Sequence, residues 1–127
     1  IIELVIKMDC IFCKIINNEI PSYTLYENDK VKCILDVNPN SKGHTLILPK
    51  NHFKDINDID LDTLTEINKA SKIIVDLINE KLNPNGIKLV QNNGSLQEIK
   101  HYHLHIIPSY NKKDNISVEE VFNLLTK

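Results

Sequence analysis

Between residues 23 and 49 three apolar stretches follow one another: YTLYEN (23–28), VKCILDV (31–37) and HTLILP (44–49). Only a tight Asn28-Asp29-Lys30 turn and the loop Asn38-Pro39-Asn40-Ser41-Lys42-Gly43 separate them. Connections this short cannot hold the crossover that parallel strands require, so the runs are expected to pair as antiparallel neighbours. Two more strands are expected at Ile87 to Gln91 and Lys100 to Ile107. A long helix is expected from Leu61 to Leu82, because Leu61, Leu64, Ile67, Ile74, Leu77 and Ile78 recur at three- and four-residue steps and line one face. Asp60 or Asp62 can cap its start, and Asn83-Pro84-Asn85-Gly86 stops it. A short helix fits Ile11 to Asn18. Ser117-Val118-Glu119-Glu120 has the form of a capping box opening another, with Val118, Val121, Phe122 and Leu125 as its apolar side. The expected fold class is α+β: an antiparallel sheet of about five strands with one long helix packed against it.

A chain of 127 residues suffices for one domain with a real core. That domain is expected to span 8–127. The preceding IIELVIK reads as an extension, whether an added strand, an expression remnant or a misplaced start, and it lacks the small-residue cleavage site of a signal peptide. The formal net charge is -2 and every basic residue is lysine, with no arginine. Duplex nucleic-acid binders ordinarily present a basic, arginine-bearing face, so no nucleic-acid partner is expected. No apolar run approaches the length of a membrane span, and no membrane association is expected. The three cysteines do not make a disulfide framework. Cys10 and Cys13 form a C-x2-C pair, which in a reducing compartment points to metal or redox chemistry, and a cytoplasmic setting is expected. Cys33 falls within a strand and reads as core.

Three of the five histidines lie in HYHLHIIP (101–108), and the other two, His44 and His52, lie in GHTLILPKNH. Side chains alternate along a strand, so His101, His103 and His105 would share one face while Tyr102, Leu104 and Ile106 enter the core. Neighbouring imidazoles would then lie roughly 6.6 Å apart. Two chemistries suit such a row. H-x-H on a strand presents imidazoles to zinc. A neutral imidazole can also attack phosphorus, and with an ordinary pKa near ~6.5 the neutral form is available at pH 7.

The run H-Y-H-L-H-I-I resembles the signature of the histidine triad superfamily. Further matches, in order, are DCIFCKIINNEIP, LDVNPNSKGHTLILPKNH and LVQNNG, and they are similar to the Hint-like branch. The resemblance covers nearly the whole stretch from Met8 to Pro108. It implies a nucleotide-binding phosphoramidase in which His103 is the nucleophile, forming a nucleotidyl-histidine that water hydrolyses. His105 would donate to the phosphate or the leaving group. Asn92, Gln97 and His44 would contact the phosphate side and Asp36 the ribose hydroxyls. Ile11, Phe12, Ile20, Ile34 and Val37 would sandwich the base, although core packing and, for Asp36, a turn role explain these residues equally well. The resemblance also implies a structural zinc on Cys10, Cys13, His52 and His101, a purine nucleotide such as AMP as ligand, and a homodimer built across the long helix and a sheet edge.

The chain departs from the family pattern in places. Leu96 replaces the usual glycine before Gln97, the Gly94 to Gln97 loop is short, and Glu98 stands where the animal branch has serine. Its C-terminal helix differs from that branch's tryptophan-bearing tail. Three competing functions remain open on the sequence: a dinucleoside polyphosphate hydrolase using the same His103, a catalytically vestigial nucleotide-binding module, and a zinc hydrolase whose triad binds the catalytic metal.

Overall fold

The computed structural model describes residues 10–127, and the extension expected at 1–7 lies outside them. In chain order the elements are α1 (Ile11–Ile16), β1 (Thr24–Glu27), β2 (Val31–Leu35), β3 (Thr45–Pro49), α2 (Leu61–Leu82), β4 (Gly86–Gln91), a 3-10 turn (Gly94–Leu96), β5 (Leu104–Ser109) and α3 (Val118–Thr126). The strands form one sheet in the order β1-β2-β3-β5-β4, with every neighbouring pair antiparallel. The chain adopts the expected α+β fold.

Local chemistry closes the turns. The Asn28 side chain accepts from the backbone N–H groups of Lys30 and Val31 at 2.8 and 3.0 Å, an Asx-turn that joins β1 to β2. In the loop before β3, Gly43 has φ +88, and a Cβ there would stand 2.8 Å from Leu82 Cδ1. Only glycine fits both the backbone angle and the close approach. Asp60, not Asp62, caps α2 by accepting from the Thr63 N–H at 3.0 Å. Ser117 caps α3 through the Glu120 N–H at 3.1 Å, as its sequence pattern implies.

Several expectations need correction. Leu61 does not line the buried face of α2: it is 80% exposed, because it is the first residue after the cap. The buried stripe begins at Thr63 and continues through Ile67, Ala70, Ser71, Ile74 and Ile78 to Leu82. The helix α1 ends at Ile16, short of Asn18, whose φ of 63 is left-handed. The strand expected from Lys100 begins only at Leu104. Tyr102 donates its N–H to the Phe53 carbonyl at 2.6 Å, so the first half of the histidine run is tied to the 50s loop instead of to a strand.

The sheet buries both faces. On one, Val31, Cys33, Leu35, Ile47, Leu104 and Ile106 pack against the α2 stripe and against Val121 and Leu125 of α3. On the other, Ile34, Leu46 and Leu48 pack against Cys10 and against Phe12, Cys13 and Ile15 of α1. The second layer is thin, and it is where the histidines lie. Because β5 runs between β3 and β4, His105 sits inside the sheet and not at its edge, and His101 and His103 lie on the segment that leads into it.

Candidate active site and metal centre

The alternation expected of the triad survives the late start of β5. Tyr102, Leu104 and Ile106 enter the α2 side of the core. His101 and His103 are buried at 0% and 6% exposure, and His105 is half-buried. The rings come closer than the backbone spacing suggests: His103 and His105 meet edge to face with centroids 4.8 Å apart. Phe12 of α1 lies edge-on to both His101 and His103, at 5.9 and 5.0 Å.

Hydrogen bonds fix which nitrogen of each ring carries the proton. His103 Nδ1 lies 2.7 Å from the His101 carbonyl, an acceptor only, so Nδ1–H donates and Nε2 keeps its lone pair. Burial pushes His103 below the usual histidine range, and the carboxylates of Asp36 and Glu98 oppose this only in part. His44 Nδ1 accepts from the Asn40 N–H at 3.0 Å, so the proton of that neutral ring sits on Nε2. His44 Nε2–H then donates to His105 Nδ1 at 3.0 Å, which leaves His105 with a donor at Nε2. The row therefore pairs a lone pair on His103 with an N–H on His105, nucleophile beside donor. Burial, aided by neighbouring His103 and His44, pushes His105 down to about 4, against the pull of Asp36. Burial likewise lowers His44.

These depressed values make stability depend on pH. As pH falls below ~6.5 the unfolded chain takes up protons on these rings, while the folded chain resists until about 4 at His105. Their contribution is thus full above ~6.5 and is lost as pH falls towards the folded value. Thermal melts across this window should show a steady fall in Tm for the native chain. The fall should be shallower for His105→Gln, and equal slopes would contradict the assignment.

The metal cluster is already assembled. Cys13 Sγ lies 3.2 Å from His52 Nδ1 and 3.5 Å from His101 Nδ1, Cys10 Sγ lies 3.4 Å from His101 Nδ1, and the two Nδ1 atoms are 3.2 Å apart. A tetrahedral zinc with bonds of about 2.0–2.1 Å to nitrogen and about 2.3 Å to sulfur has ligand–ligand edges of roughly 3.3–3.7 Å. These four separations, 3.2–3.5 Å, lie at or just below the short end of those edges. His101 Nε2 donates to the Pro49 carbonyl at 2.9 Å, which keeps Nδ1 free to ligate. Asp36, His44 and His105 also converge, their ligand atoms lying within 4.8 Å of one another. There the chemistry does not fit. His44 Nδ1 accepts from a backbone N–H, so metal on Nε2 would require a ring stripped of both protons. That argues against a metal held by Asp36, His44 and His105.

The remaining expected site residues fall into distinct groups. Asp36 follows β2. One of its oxygens accepts from the Asn38 N–H at 2.9 Å and the other lies 3.6 Å from His44 Nε2, so it serves the turn and faces the histidines. Asn92 is half-buried just after β4. Gln97 is buried. Its amide donates to the Lys54 carbonyl at 2.7 Å, and its Oε1 has no partner among the described residues. Phe12, Ile34 and Ile20 share the α1-side cluster, whereas Ile11 and Val37 are 45% and 65% exposed. A cavity of about 730 Å³ has Asp36 and His44 in its wall together with Lys42, Tyr110 and Asp114, and lies beside the triad instead of over it. Functional groups that escaped sequence reasoning are the Asn40 N–H and the carbonyls of Pro49 and His101. All three are backbone, and residue identity carries no signal for them.

A family model described as the HIT domain matches residues 17–112. The chain belongs to the HIT family. Its Cys10, Cys13, His52 and His101 cluster has the layout of the family's zinc-containing C-x2-C type. A HIT-like protein of Methanocaldococcus jannaschii is 46% identical over 103 residues, covering 80% of this chain and 79% of that one. An adenosine 5′-monophosphoramidase of Saccharomyces cerevisiae is 39% identical over 111 residues, covering 86% of this chain and 68% of that one. Among solved structures, a zinc-bound histidine triad family protein from Mycobacterium smegmatis superposes with a TM-score of 0.86 at 30% identity, covering 94% of this HIT chain and 92% of its own.

Proposed function

We propose that this HIT protein is a nucleotide hydrolase that cleaves nucleoside 5′-phosphoramidates at the P–N bond through a nucleotidyl-His103 intermediate. One observation carries the proposal: His103 Nδ1 is committed to the His101 carbonyl, which leaves an unprotonated Nε2 beside the N–H of His105. Nε2 attacks the α-phosphorus, the N–P bond to His103 forms, and the P–N bond of the substrate breaks. The departing amine takes its proton from solvent, to which the attacking water of the second step returns one, and the ring is left cationic with its Nδ1–H still held by the His101 carbonyl. Charge on the phosphoryl oxygens is stabilised by His105 Nε2–H, a donor oriented beforehand by His44. Water then attacks the same phosphorus, loses a proton, and releases a nucleoside monophosphate and neutral His103. Splitting one displacement in two lowers each barrier.

In the same proposal Asp36 receives the ribose hydroxyls, His44, Asn92 and Gln97 flank the phosphate and leaving group, and Ile11, Phe12, Ile20, Ile34 and Val37 hold the base. The exposed apolar surfaces of Ile11 and Val37 favour this last role, because an uncovered side chain is available to a ligand. Cys10, Cys13, His52 and His101 would hold a structural zinc that ties the start of α1 to the histidine segment and takes no part in the reaction. Residues 8–127 act as one domain. The ligand is a purine nucleotide such as AMP, and the setting is cytoplasmic; no helix among the described residues is long and apolar enough to cross a membrane. A homodimer would use the open edge of β4 and the neighbouring face of α2, where Leu89 and Ile73 are 48% and 43% exposed.

The named activity of the yeast relative supports P–N cleavage. A relative in Arabidopsis thaliana named adenylylsulfatase, 39% identical over 105 residues, supports a wider range of AMP conjugates. The test is AMP release from adenosine 5′-phosphoramidate, adenosine 5′-phosphosulfate and a diadenosine polyphosphate, assayed side by side. Fastest release from the phosphoramidate is expected. Preference for the dinucleotide would favour the polyphosphate hydrolase, and no release from any would leave a binding module.

A further inference from the structure

We propose that Lys32 is a positioning residue that clamps the C-terminal end of α1 and so sets the shape of the base pocket. This rests on the nucleotide-binding function above. A lysine in a strand is ordinarily solvated, yet Lys32 is only 2% exposed. It lies on β2 on the same face as Ile34, the next inward residue of the α1-side cluster. Its Nζ donates to the Ile15 carbonyl at 3.1 Å and to Asn18 Oδ1 at 3.2 Å. The Ile15 carbonyl, in the last turn of α1, also accepts the Asn18 N–H at 3.0 Å, so Lys32 adds a second donor to the bond that closes the helix, and Asn18 holds the left-handed φ of 63 that ends the segment.

A helix of six residues does not hold itself together in water. Here α1 is fixed at two points: Cys10 and Cys13 converge on His52 and His101 at its start, and Lys32 grips its end. Ile11 and Phe12, two of the residues proposed to face the base, lie between the two cysteines, and Ile20, a third, follows Asn18 just past the Lys32 grip. The bond that fixes the His103 tautomer belongs to the histidine segment itself and does not pass through α1. Loosening the clamp should therefore weaken nucleotide binding and spare the chemical step.

Lys32→Met removes the donor and keeps much of the volume. Asn18→Gly removes one acceptor and tolerates the left-handed backbone. With adenosine 5′-phosphoramidate, Lys32→Met should raise KM about tenfold, the size expected for a lost buried hydrogen bond to a charged group. Its kcat should stay within about twofold and its zinc content unchanged, and Asn18→Gly should shift KM the same way by less. A purely structural role predicts lower Tm and fewer active molecules, seen as reduced kcat at unchanged KM, and that pattern would overturn the proposal. Unchanged KM in both variants would do the same. If Lys32→Met does not fold, Asn18→Gly decides. If the native chain itself shows no turnover, the phosphoramidase function fails separately, and equilibrium dialysis of AMP against the same variants decides whether Lys32 shapes the pocket.

Discussion

His103→Ala should lose hydrolysis of adenosine 5′-phosphoramidate by on the order of 10⁴-fold or more, as expected when a covalent nucleophile is removed. No neighbour can replace it. His101 directs Nδ1 at Cys10, Cys13 and His52 and donates Nε2–H to the Pro49 carbonyl. His105 receives the His44 proton at Nδ1, so its other nitrogen carries a hydrogen and has no lone pair to offer. Because His103 is buried beside Phe12, truncation also leaves a void, so His103→Asn is the better-controlled variant. Its amide can still donate to the His101 carbonyl. It should be equally inactive while its zinc content and melting curve stay close to those of the native chain. Retained turnover in either variant, or loss of zinc together with activity, would remove His103 from the nucleophile's role.

The second large effect concerns the metal. Cys13→Ser, or exposure of the native chain to a strong chelator, should remove the proposed zinc and lower Tm. With free zinc at a hundredfold excess over its dissociation constant, binding adds about 2.7 kcal/mol to stability. For a domain of this size that corresponds to roughly 10 °C in Tm. Cys10, Cys13 and His101 are buried, His52 is partly so, and their ligand atoms already stand close together, so little rearrangement opposes binding. Turnover should fall less than in the His103 variants, because His103 and its acceptor on the His101 backbone remain, while α1 and the His101 and His52 rings lose a shared anchor. A chain that holds no zinc and melts at the same temperature with and without chelator would show that the four residues serve another end.

Much of this was legible in the residues. Short connections between apolar runs dictated antiparallel pairing, and the alternation of Tyr102, Leu104 and Ile106 with histidines correctly assigned the two faces. The C-x2-C pair pointed to metal or redox chemistry, and the resemblance added His52 and His101 to it and pointed to the family that the comparisons then showed. What stayed hidden was set by tertiary contacts. The Tyr102 N–H bonds the Phe53 carbonyl from another loop, so β5 starts later than its pattern suggests. Leu61 satisfies the helical period but falls in the first turn, before α2 reaches the sheet. The burial of Lys32 contradicts its chemistry until the end of α1 is placed over it. The proton positions on the histidines depend on backbone groups of Asn40, Pro49 and His101, which no reading of side chains can supply.

The most direct test of a nucleotidyl-histidine is the stereochemistry at phosphorus. An adenosine 5′-phosphoramidate made chiral by sulfur at the α-phosphorus is hydrolysed in isotopically labelled water, and the configuration of the thiophosphate product is read. Each in-line displacement inverts the centre, so attack by His103 followed by attack of water predicts overall retention. Inversion would mean that water displaces the amine in one step, and the covalent intermediate on His103 would have to be abandoned.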